Sequence, residues 1–188
     1  MPIPKQKRSY TYADYLTWNN DERWEIIAGV PYMQSAPSRL HQEILMELAR
    51  QFSNYLLDKP CKIYPAPFCV RLDIDDDDKK IKNIVEPDLT IVCDESKLDQ
   101  KGCKGSPDMI IEIISPSTAK MDKLIKFNKY EEAGVKEYWI IEPEQKLVSV
   151  FLLQDSMKYG RPEMYTDEDN IIVSLFPDLE IHLKSVFS

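Results

Sequence analysis

The sequence predicts an α/β fold, and two stretches carry this prediction. Between Ser106 and Pro143, an apolar run, a helical pattern and a second apolar run follow one another, as in a strand, a helix and a strand. The first run, Met109–Ile114, is apolar except at Glu112, which is typical of a central strand covered on both faces. Residues 38–57 carry apolar side chains at helical spacing and predict the longest amphipathic helix.

Two further helices have sequence signals at their ends. Thr11 is a candidate cap for a short helix over Tyr12–Trp18. Residues 115–118, Ser-Pro-Ser-Thr, interrupt the central strand and cap a helix that runs to about Ala133. Gly134 then occupies the position expected just past a helix C-terminus.

Strand-like runs alternate with turn signals along the rest of the chain. Gly29 marks the turn of a hairpin, and residues 143–145 form a turn between two later strands. We expect a polar loop over Asp94–Gly105, and one more strand with a short amphipathic tail over Met164–Phe187. The predicted strands are Trp24–Ile27, Val30–Met33, Lys62–Leu72, Leu89–Cys93, Met109–Ile114, Glu137–Ile141 and Lys146–Leu153.

Length and composition indicate one globular domain. A chain of 188 residues with 43% hydrophobic side chains is long enough for one domain with a core and too short for two comfortable ones. We assign residues 1–188 to this domain and expect residues 1–9 to form a flexible arm. No run of about 18 apolar residues occurs, and the N-terminus lacks the apolar core of a signal peptide, so we expect a soluble, cytoplasmic protein.

The charge balance limits how the protein can bind nucleic acid. A net charge of -8 argues against a surface that binds nucleic acid over its whole extent. A local basic groove remains compatible with this net charge. The four consecutive Asp residues at 75–78 predict a solvated turn, since the spaced ligands and turn Gly of a calcium loop are missing there.

The four cysteines are Cys61, Cys69, Cys93 and Cys103. They form no Cys-x-x-Cys pair and have no nearby His, so a zinc site or a thiol redox motif has no support. We expect reduced cysteines that pack as small hydrophobic side chains in a cytoplasmic protein.

Glu112 is the first candidate for chemistry, because its carboxylate lies in an otherwise apolar strand. Burying an unpaired charge costs several kcal/mol, so this side chain needs a metal ion, a basic side chain or a proton as its partner. Asp88 opens another predicted core strand, and adjacent strands lie roughly 5 Å apart. Two such carboxylates can hold one divalent cation, and their hard oxygen atoms suit Mg²⁺ or Mn²⁺.

The helix after Glu112 adds a second set of candidates. Asp122, Lys126 and Tyr130 are spaced i, i+4 and i+8 and fall on one stripe. If that stripe faces the carboxylates, Lys126 supplies a fixed positive charge beside the metal. Two acids, a cation and a lysine are the groups needed to activate water and to stabilise the negative charge that develops on a phosphodiester.

The order and spacing of these residues resemble the motif string of the Uma-two family, part of the PD-(D/E)XK nuclease superfamily. The resemblance covers most of the chain. The residues and motifs that carry it are Glu25, Gly29, His41, Pro87-Asp88, Glu112–Thr118, Asp122, Lys126, Tyr130, Gly134-Val135 and Glu137–Ile140.

This resemblance implies a restriction-endonuclease-like core, in which α-helices flank a mixed central β-sheet. It implies that Asp88 and Glu112 are metal ligands, and we add the backbone carbonyl of Ile113 to them. The general superfamily motif has Lys two residues after the acid, where this chain has Ile114. In the family that the chain resembles, the lysine has moved to the following helix, so Lys126 is its expected substitute and the catalytic lysine.

The three principal candidates also have structural interpretations. Asp88 can start a strand and accept backbone hydrogen bonds. Glu112 can form a buried ion pair with Lys126. Lys126 can instead lie on a solvated helix surface.

Four more residues are candidates for the pocket: Glu25, His41, Asp122 and Tyr130. Glu25 and His41 either reach the metal site or serve as a strand surface group and a satisfied histidine. Asp122 either joins the site or is a charge favoured near a helix N-terminus. Tyr130 belongs to the core or donates a hydrogen bond from behind the site.

We therefore predict a Mg²⁺- or Mn²⁺-dependent endonuclease that hydrolyses phosphodiester bonds in DNA, with no membrane association. Cutting both strands with one site per chain favours a homodimer. One alternative is a nucleic-acid-binding or regulatory module that kept the fold but cleaves poorly. Another is a structural dimer whose interface is the aromatic hairpin of Tyr138, Trp139 and Phe151.

Overall fold

The computed structural model describes residues 9–18 and 22–188, so nearly all of the arm expected over residues 1–9 lies outside the described residues. None of the helices in these two ranges is long and apolar enough to span a membrane. A π-helical segment, Met121–Lys126, runs directly into the third α-helix. The α-helices are α1 (Tyr12–Tyr15), α2 (Arg39–Leu56), α3 (Phe127–Ala133) and α4 (Leu183–Val186).

Within the described residues, the strands form two six-stranded sheets and one two-stranded sheet. The central sheet contains β3 (Lys62–Pro65), β6 (Leu89–Val92), β9 (Met109–Ile113), β10 (Glu137–Glu142), β11 (Leu147–Leu152) and β12 (Glu163–Thr166), in the order β12-β11-β10-β9-β6-β3. The second sheet contains β1 (Trp24–Ile27), β2 (Val30–Met33), β4 (Val70–Arg71), β5 (Ile84–Val85), β7 (Leu98–Asp99) and β8 (Gly102–Lys104), in the order β2-β1-β5-β4-β8-β7. The small sheet pairs β13 (Asn170–Ile172) with β14 (Glu180–His182).

The predicted strand–helix–strand unit is confirmed as a crossover between parallel neighbours. β9 pairs in parallel with β10, and the π-helical segment and α3 connect them. On its other side β9 pairs with β6 in the antiparallel sense, which makes the central sheet mixed. Every residue of β9 is buried, as its apolar run predicts for a strand covered on both faces.

The central sheet separates two hydrophobic layers. On one face, Ile111 and Trp139 pack with Phe52 of α2 and with Ile181 of β14. On the other face, alternate residues of the same strands pack against α3 and the second sheet. Glu112 follows Ile111, so it points into this second layer.

The turn and cap positions predicted for Gly29 and Gly134 are confirmed, and Ser38 adds a helix cap. Ser38 caps α2, where its hydroxyl accepts a hydrogen bond from the His41 N–H. Gly134 ends α3 in the left-handed conformation, with a φ of 84°. Gly29 lies in the hairpin turn with a φ of 78°, and a Cβ there would lie 2.1 Å from Ser9 Oγ, so both backbone conformation and space require glycine.

Three strand predictions are wrong. The single strand expected over Lys62–Leu72 divides into β3 and β4, which lie in different sheets. Pro65 ends β3 and Pro67 follows it, and neither has an N–H to continue a ladder. The loop expected over Asp94–Gly105 contains the short hairpin of β7 and β8. The C-terminal stretch holds three strands rather than one.

The prediction of reduced cysteines is wrong for Cys61 and Cys93, which form a disulfide. The ladder explains this pairing: Lys62 pairs with Val92, so Cys61 and Cys93 are the next residues across from each other. Neither cysteine lies near the other in sequence, and the pairing depends on the register of two strands. Cys69 and Cys103 are free thiols.

The alternative of a dimer interface formed by the aromatic hairpin does not fit this fold. Tyr138 and Trp139 are fully buried inside the protein, where Trp139 packs edge-on against Phe52 of α2. Phe151 lies partly buried against Phe127. Glu137–Ile141 of β10 are all buried, so the same chain covers both faces of this strand and its aromatic side chains are not available to a second copy.

Candidate active site

Asp88 and Glu112 lie opposite each other across the β6–β9 ladder, because Leu89 pairs with Ile111. Opposed residues of an antiparallel pair point to the same face of the sheet. The Asp88 N–H donates to Glu112 Oε2 at 3.4 Å. The structure thus brings together the two acids that the sequence singled out.

The Ile113 backbone belongs to the same group. Its N–H donates to Asp88 Oδ2 at 2.8 Å. The N–H and C=O of one strand residue point to the same edge, so the Ile113 carbonyl is also directed toward Asp88. Its role as a metal ligand stays a prediction.

Lys126 lies at the centre of the acidic cluster. Its Nζ is 2.8 Å from Glu25 Oε1, 3.0 Å from Glu112 Oε1 and 3.6 Å from Asp122 Oδ1. The side chain is 4% exposed, so the alternative of a solvated helix surface is wrong. The buried ion pair with Glu112 is present, and this contact is compatible with both a catalytic and a structural role.

The stripe of Asp122, Lys126 and Tyr130 faces Glu112. The Tyr130 hydroxyl donates to Glu112 Oε1 at 2.6 Å, on the oxygen that also binds Lys126. Asp122 and Lys126 belong to the π-helical segment, a wide turn that often occurs at functional sites. The Tyr138 hydroxyl donates to the Asp122 carbonyl at 3.1 Å and fastens this segment to the central sheet.

Glu25 reaches the cluster from β1, in the second sheet. Its Oε1 accepts the Glu86 N–H at 2.8 Å and binds Lys126, while its Oε2 accepts from Gln34 Nε2 at 2.6 Å. Glu25 is fully buried. Sequence analysis placed it in a strand but contained no signal for its partner, which lies about a hundred residues later in the chain.

His41 approaches the site from the first turn of α2. Its Nε2 lies 3.0 Å from Asp88 Oδ1. Its Nδ1 is buried, and within residues 9–18 and 22–188 it has no hydrogen-bond partner. His41 therefore touches a candidate metal ligand, and the alternative of a fully satisfied histidine is wrong for these residues.

The electrostatics of the site follow from burial. Burial raises the pKa of Glu112 well above its ordinary value, although the Lys126 ammonium acts in the opposite direction. Burial raises the pKa of Asp122 as well. For Lys126, burial acts to lower the pKa, but its carboxylate neighbours outweigh it and hold the pKa well above its ordinary value. The Lys126 side chain thus stays protonated and does not act as a base.

A cleft of about 270 Å³ opens beside these groups. Its walls come from the segment before α2, from the turn before the π-helical segment and from the turn after β10. His41 and Asp122 line this cleft, whereas Glu25 and Tyr130 lie behind its wall. The lining includes Arg23, Gln34, His41, Glu86, Asp88, Glu112, Ile113, Ser115, Thr118, Asp122 and Lys126.

Two residues of this wall were missed from the sequence. Gln34 holds Glu25, and the Glu86 carboxylate pairs with Arg23 Nε at 2.8 Å. Gln34 follows a short hairpin strand and Glu86 precedes a proline, so both appear as ordinary polar residues at strand ends. Their positions depend on the packing of the second sheet against the central one.

The donor set suits a magnesium-type cation held partly by its substrate. In the described residues, no three His, Cys, Asp or Glu side chains converge as a complete metal cage. Mg²⁺ usually binds through one or two carboxylates, with waters and substrate phosphates as further ligands. Asp88, Glu112 and the Ile113 carbonyl fit this pattern. Three buried carboxylates surround a single ammonium and Asp88 lies beside them, and this excess of negative charge favours a cation.

Comparison with known proteins identifies the class of protein. The chain shares its fold with the crystal structure of a "putative nuclease belonging to DUF820" from Anabaena variabilis ATCC 29413, with a TM-score of 0.75 and 17% identity over 94% of this chain and 97% of that chain. Residues 12–184 match the family described as "Uma2: Putative restriction endonuclease", and the chain belongs to this family. An "uncharacterized protein slr1290" from Synechocystis sp. (strain ATCC 27184 / PCC 6803 / Kazusa) is 26% identical, over 98% of this chain and 88% of that protein.

These comparisons confirm the family resemblance and the restriction-endonuclease-like fold that the sequence predicted. They place the chain in a family described by its nuclease character.

Proposed function

We propose that the protein is an endonuclease that hydrolyses phosphodiester bonds in DNA and requires Mg²⁺ or Mn²⁺. One observation carries the proposal. The protonated Lys126 side chain contacts Glu112 at 3.0 Å, and both residues line a cleft together with Asp88. Nuclease chemistry needs this combination of acids and a fixed cation, because negative charge increases on the phosphate as water adds.

The residues have distinct tasks in this proposal. Asp88, Glu112 and the Ile113 carbonyl hold the divalent cation, which supplies Lewis-acid polarisation of the phosphate when it is bound. Lys126 stays protonated, donates hydrogen bonds and offsets the charge of the phosphate oxygens. Tyr130 keeps the Glu112 carboxylate oriented through its hydroxyl contact at 2.6 Å.

The reaction consumes one water molecule for each bond cleaved. The water oxygen forms a bond to phosphorus, and the bond from phosphorus to the leaving sugar oxygen breaks. One proton of the water is lost to solvent, and the leaving oxygen gains one. Lys126 takes no proton in this sequence, since the carboxylates around it raise its pKa.

DNA and a second copy of the chain are the proposed partners. A duplex has two strands and each chain offers one candidate site. A homodimer therefore cuts both strands without dissociating from the DNA and binding it again. The cleft lining is rich in carboxylates, and a bound cation therefore also reduces the repulsion of the DNA phosphates. Sedimentation measurements on the protein with and without DNA test the dimer.

Metal-dependent cleavage tests the proposed activity. Supercoiled plasmid and single-stranded DNA are incubated with the wild type, Glu112→Gln or Lys126→Met, each with Mg²⁺ or Mn²⁺. We expect both variants to lose cleavage, because one removes a ligand charge and the other removes the fixed cation. Glu132→Gln and Lys123→Met, on the exposed side of the same helical region, serve as matched controls and keep the activity.

Other outcomes point to other functions. If the wild type binds DNA but cleaves no substrate with either cation, the nucleic-acid-binding module is the better description. If Glu112→Gln cleaves as well as the wild type, the activity belongs to a different site or to a contaminant.

A further inference from the structure

Glu25 contacts the site from behind. It is fully buried, it lies outside the cleft wall, and it comes from the second sheet rather than from the sheet that carries Glu112. Its distance to Lys126 Nζ, 2.8 Å, is the shortest of the carboxylate contacts that this ammonium makes. A carboxylate in this position contacts the candidate catalytic lysine without facing the substrate.

Both oxygens of Glu25 already have partners. Oε1 accepts the Glu86 N–H at 2.8 Å in addition to its contact with Lys126. Oε2 accepts from Gln34 Nε2 at 2.6 Å. Both carboxylate oxygens of Glu25 are therefore fixed by protein groups. This geometry suits a residue that orients Lys126 rather than one that binds a metal ion directly.

From these contacts we propose that Glu25 is a positioning residue, which holds the Lys126 ammonium against Glu112 through a contact between the two sheets. The proposal rests on the proposed nuclease function. It deepens that function, because it explains how a lysine carried by a helix is kept in place beside acids carried by strands.

The donor count of Lys126 supports this role. An ammonium has three N–H donors, and three carboxylates surround this one. Asp122, at 3.6 Å, is too distant for a normal hydrogen bond and lies on the same helical segment, so it moves together with Lys126. Glu25 and Glu112 come from separate sheets and define the position of Nζ between them. Loss of Glu25 leaves one strong contact, about which the flexible lysine can swing.

Gln34 connects the Glu25–Lys126 contact to the cleft. Its side chain donates to Glu25 and also lines the cleft. If Glu25 becomes Gln, the Gln34 amide can rotate to present its oxygen, so the hydrogen bond is retained and the negative charge is removed. Glu25→Gln therefore tests the charge with little change of shape.

The experiment compares Glu25→Gln with Glu131→Gln. Glu131 is also a buried carboxylate that accepts from a lysine and a backbone N–H, but its partners are Lys158 and Tyr159. Three properties are measured: kcat and KM for DNA cleavage, Mg²⁺ affinity by calorimetry, and the NMR signal of the Lys126 ammonium in metal-free protein. The signal is assigned by its loss in Lys126→Met.

We expect Glu25→Gln to lower kcat by about 10²-fold, the effect of a misplacement on the order of 1 Å, while KM stays within about twofold. The Lys126 ammonium signal shifts and exchanges faster with water, and Mg²⁺ affinity stays at the wild-type value. Glu131→Gln changes none of these properties. An unchanged ammonium signal with unchanged kcat overturns the proposal, and a loss of Mg²⁺ affinity overturns it in favour of a ligand role.

The experiment also covers an inactive wild type and a Glu25→Gln variant that does not fold. If the wild type cleaves no DNA, the proposed function fails, but the ammonium signal of metal-free protein still decides whether Glu25 positions Lys126. If Glu25→Gln does not fold, Gln34→Ala removes one support of Glu25 without changing charge, and we expect the same shift of the ammonium signal at smaller size. No shift in Gln34→Ala then overturns the proposal.

Discussion

The Tyr130 hydroxyl and the Lys126 ammonium share one oxygen of Glu112, at 2.6 Å and 3.0 Å. Tyr130 is fully buried, so water does not replace its hydroxyl when this is removed. A hydrogen bond to a charged group contributes about 1.5–3 kcal/mol. We expect Tyr130→Phe to lower the free energy of unfolding by about this amount, measured by urea denaturation.

Tyr159→Phe is the control for that measurement. Its hydroxyl donates to the neutral carbonyl of Val135 at 2.9 Å, and a bond of this kind contributes about 0.5–1.5 kcal/mol. Equal losses in the two variants would mean that the charge of Glu112 adds nothing to the Tyr130 contact.

Lys126 stabilises the fold as well as the candidate site. Its removal leaves buried carboxylates without their cation, and breaking a buried ion pair from one side costs about 3–5 kcal/mol. We expect Lys126→Met to lose stability in this range by denaturant unfolding at neutral pH. Lys123→Met, which breaks a half-exposed pair with Glu142, serves as the control, since such pairs contribute about 0–1 kcal/mol. Similar losses in both variants would contradict the central position of Lys126.

Divalent cations are expected to stabilise the folded protein. A ligand at about 100 times its Kd adds about 2.7 kcal/mol to the free energy of unfolding, because it binds the folded state. We expect Mg²⁺ or Mn²⁺ to raise the Tm of the wild type and of Asp155→Asn, whose side chain is exposed and remote from the site. Asp88→Asn and Glu112→Gln lose this rise. An equal rise in Glu112→Gln would assign the cation to another place, such as the acidic turn at residues 75–78.

The Cys61–Cys93 disulfide predicts a definite thiol count. Alkylation of the denatured protein without reductant labels Cys69 and Cys103, and all four cysteines react after reduction, as mass spectrometry shows. A crosslink across a sequence separation of 32 stabilises a protein by about 3–4 kcal/mol in the chain-entropy description. We expect Cys61→Ser to lose this amount. Four reactive thiols before reduction would contradict the pairing.

The thiol of Cys69 gives the stability a dependence on alkaline pH. Burial raises its pKa from 9.0 to about 12. Between these two values the unfolded thiol ionises while the folded thiol stays protonated, so the unfolded state binds fewer protons and stability falls as pH rises. Above pH 9, we expect the free energy of unfolding to fall less steeply with pH in Cys69→Ala than in the wild type. The two slopes differ by at most about 1.4 kcal/mol per pH unit. Parallel slopes would show that the folded thiol ionises normally.

The sequence contained strong local signals for the central unit. The apolar run around Glu112, the Ser-Pro-Ser-Thr cap and the glycine at position 134 predicted the β9–α3–β10 crossover, because periodicity and capping act over a few residues. The same signals placed Asp88 and Glu112 on core strands and put Lys126 on a stripe with Tyr130. The structure has all four side chains in one cluster.

In the second sheet, the hairpin of β1 and β2 was predicted with its bounds, but the shorter strands gave much weaker signals. β4 (Val70–Arg71) and β5 (Ile84–Val85) are too short to show an alternating pattern, and their partners are distant in sequence. The pairing of Cys61 with Cys93 depends in the same way on strand register, which a spacing rule for cysteines does not contain. Such elements form because neighbouring strands supply their hydrogen bonds.

The sequence by itself predicted the family of this protein and the crossover unit, and it singled out Asp88, Glu112 and Lys126 as candidates, since each of these depends on residue type and local order. Only the tertiary structure decided that Lys126 is buried, that Glu25 supports it from a second sheet and that His41 touches Asp88. These contacts join segments that are far apart in the chain. They depend on how two sheets and a helix pack, which no local pattern records.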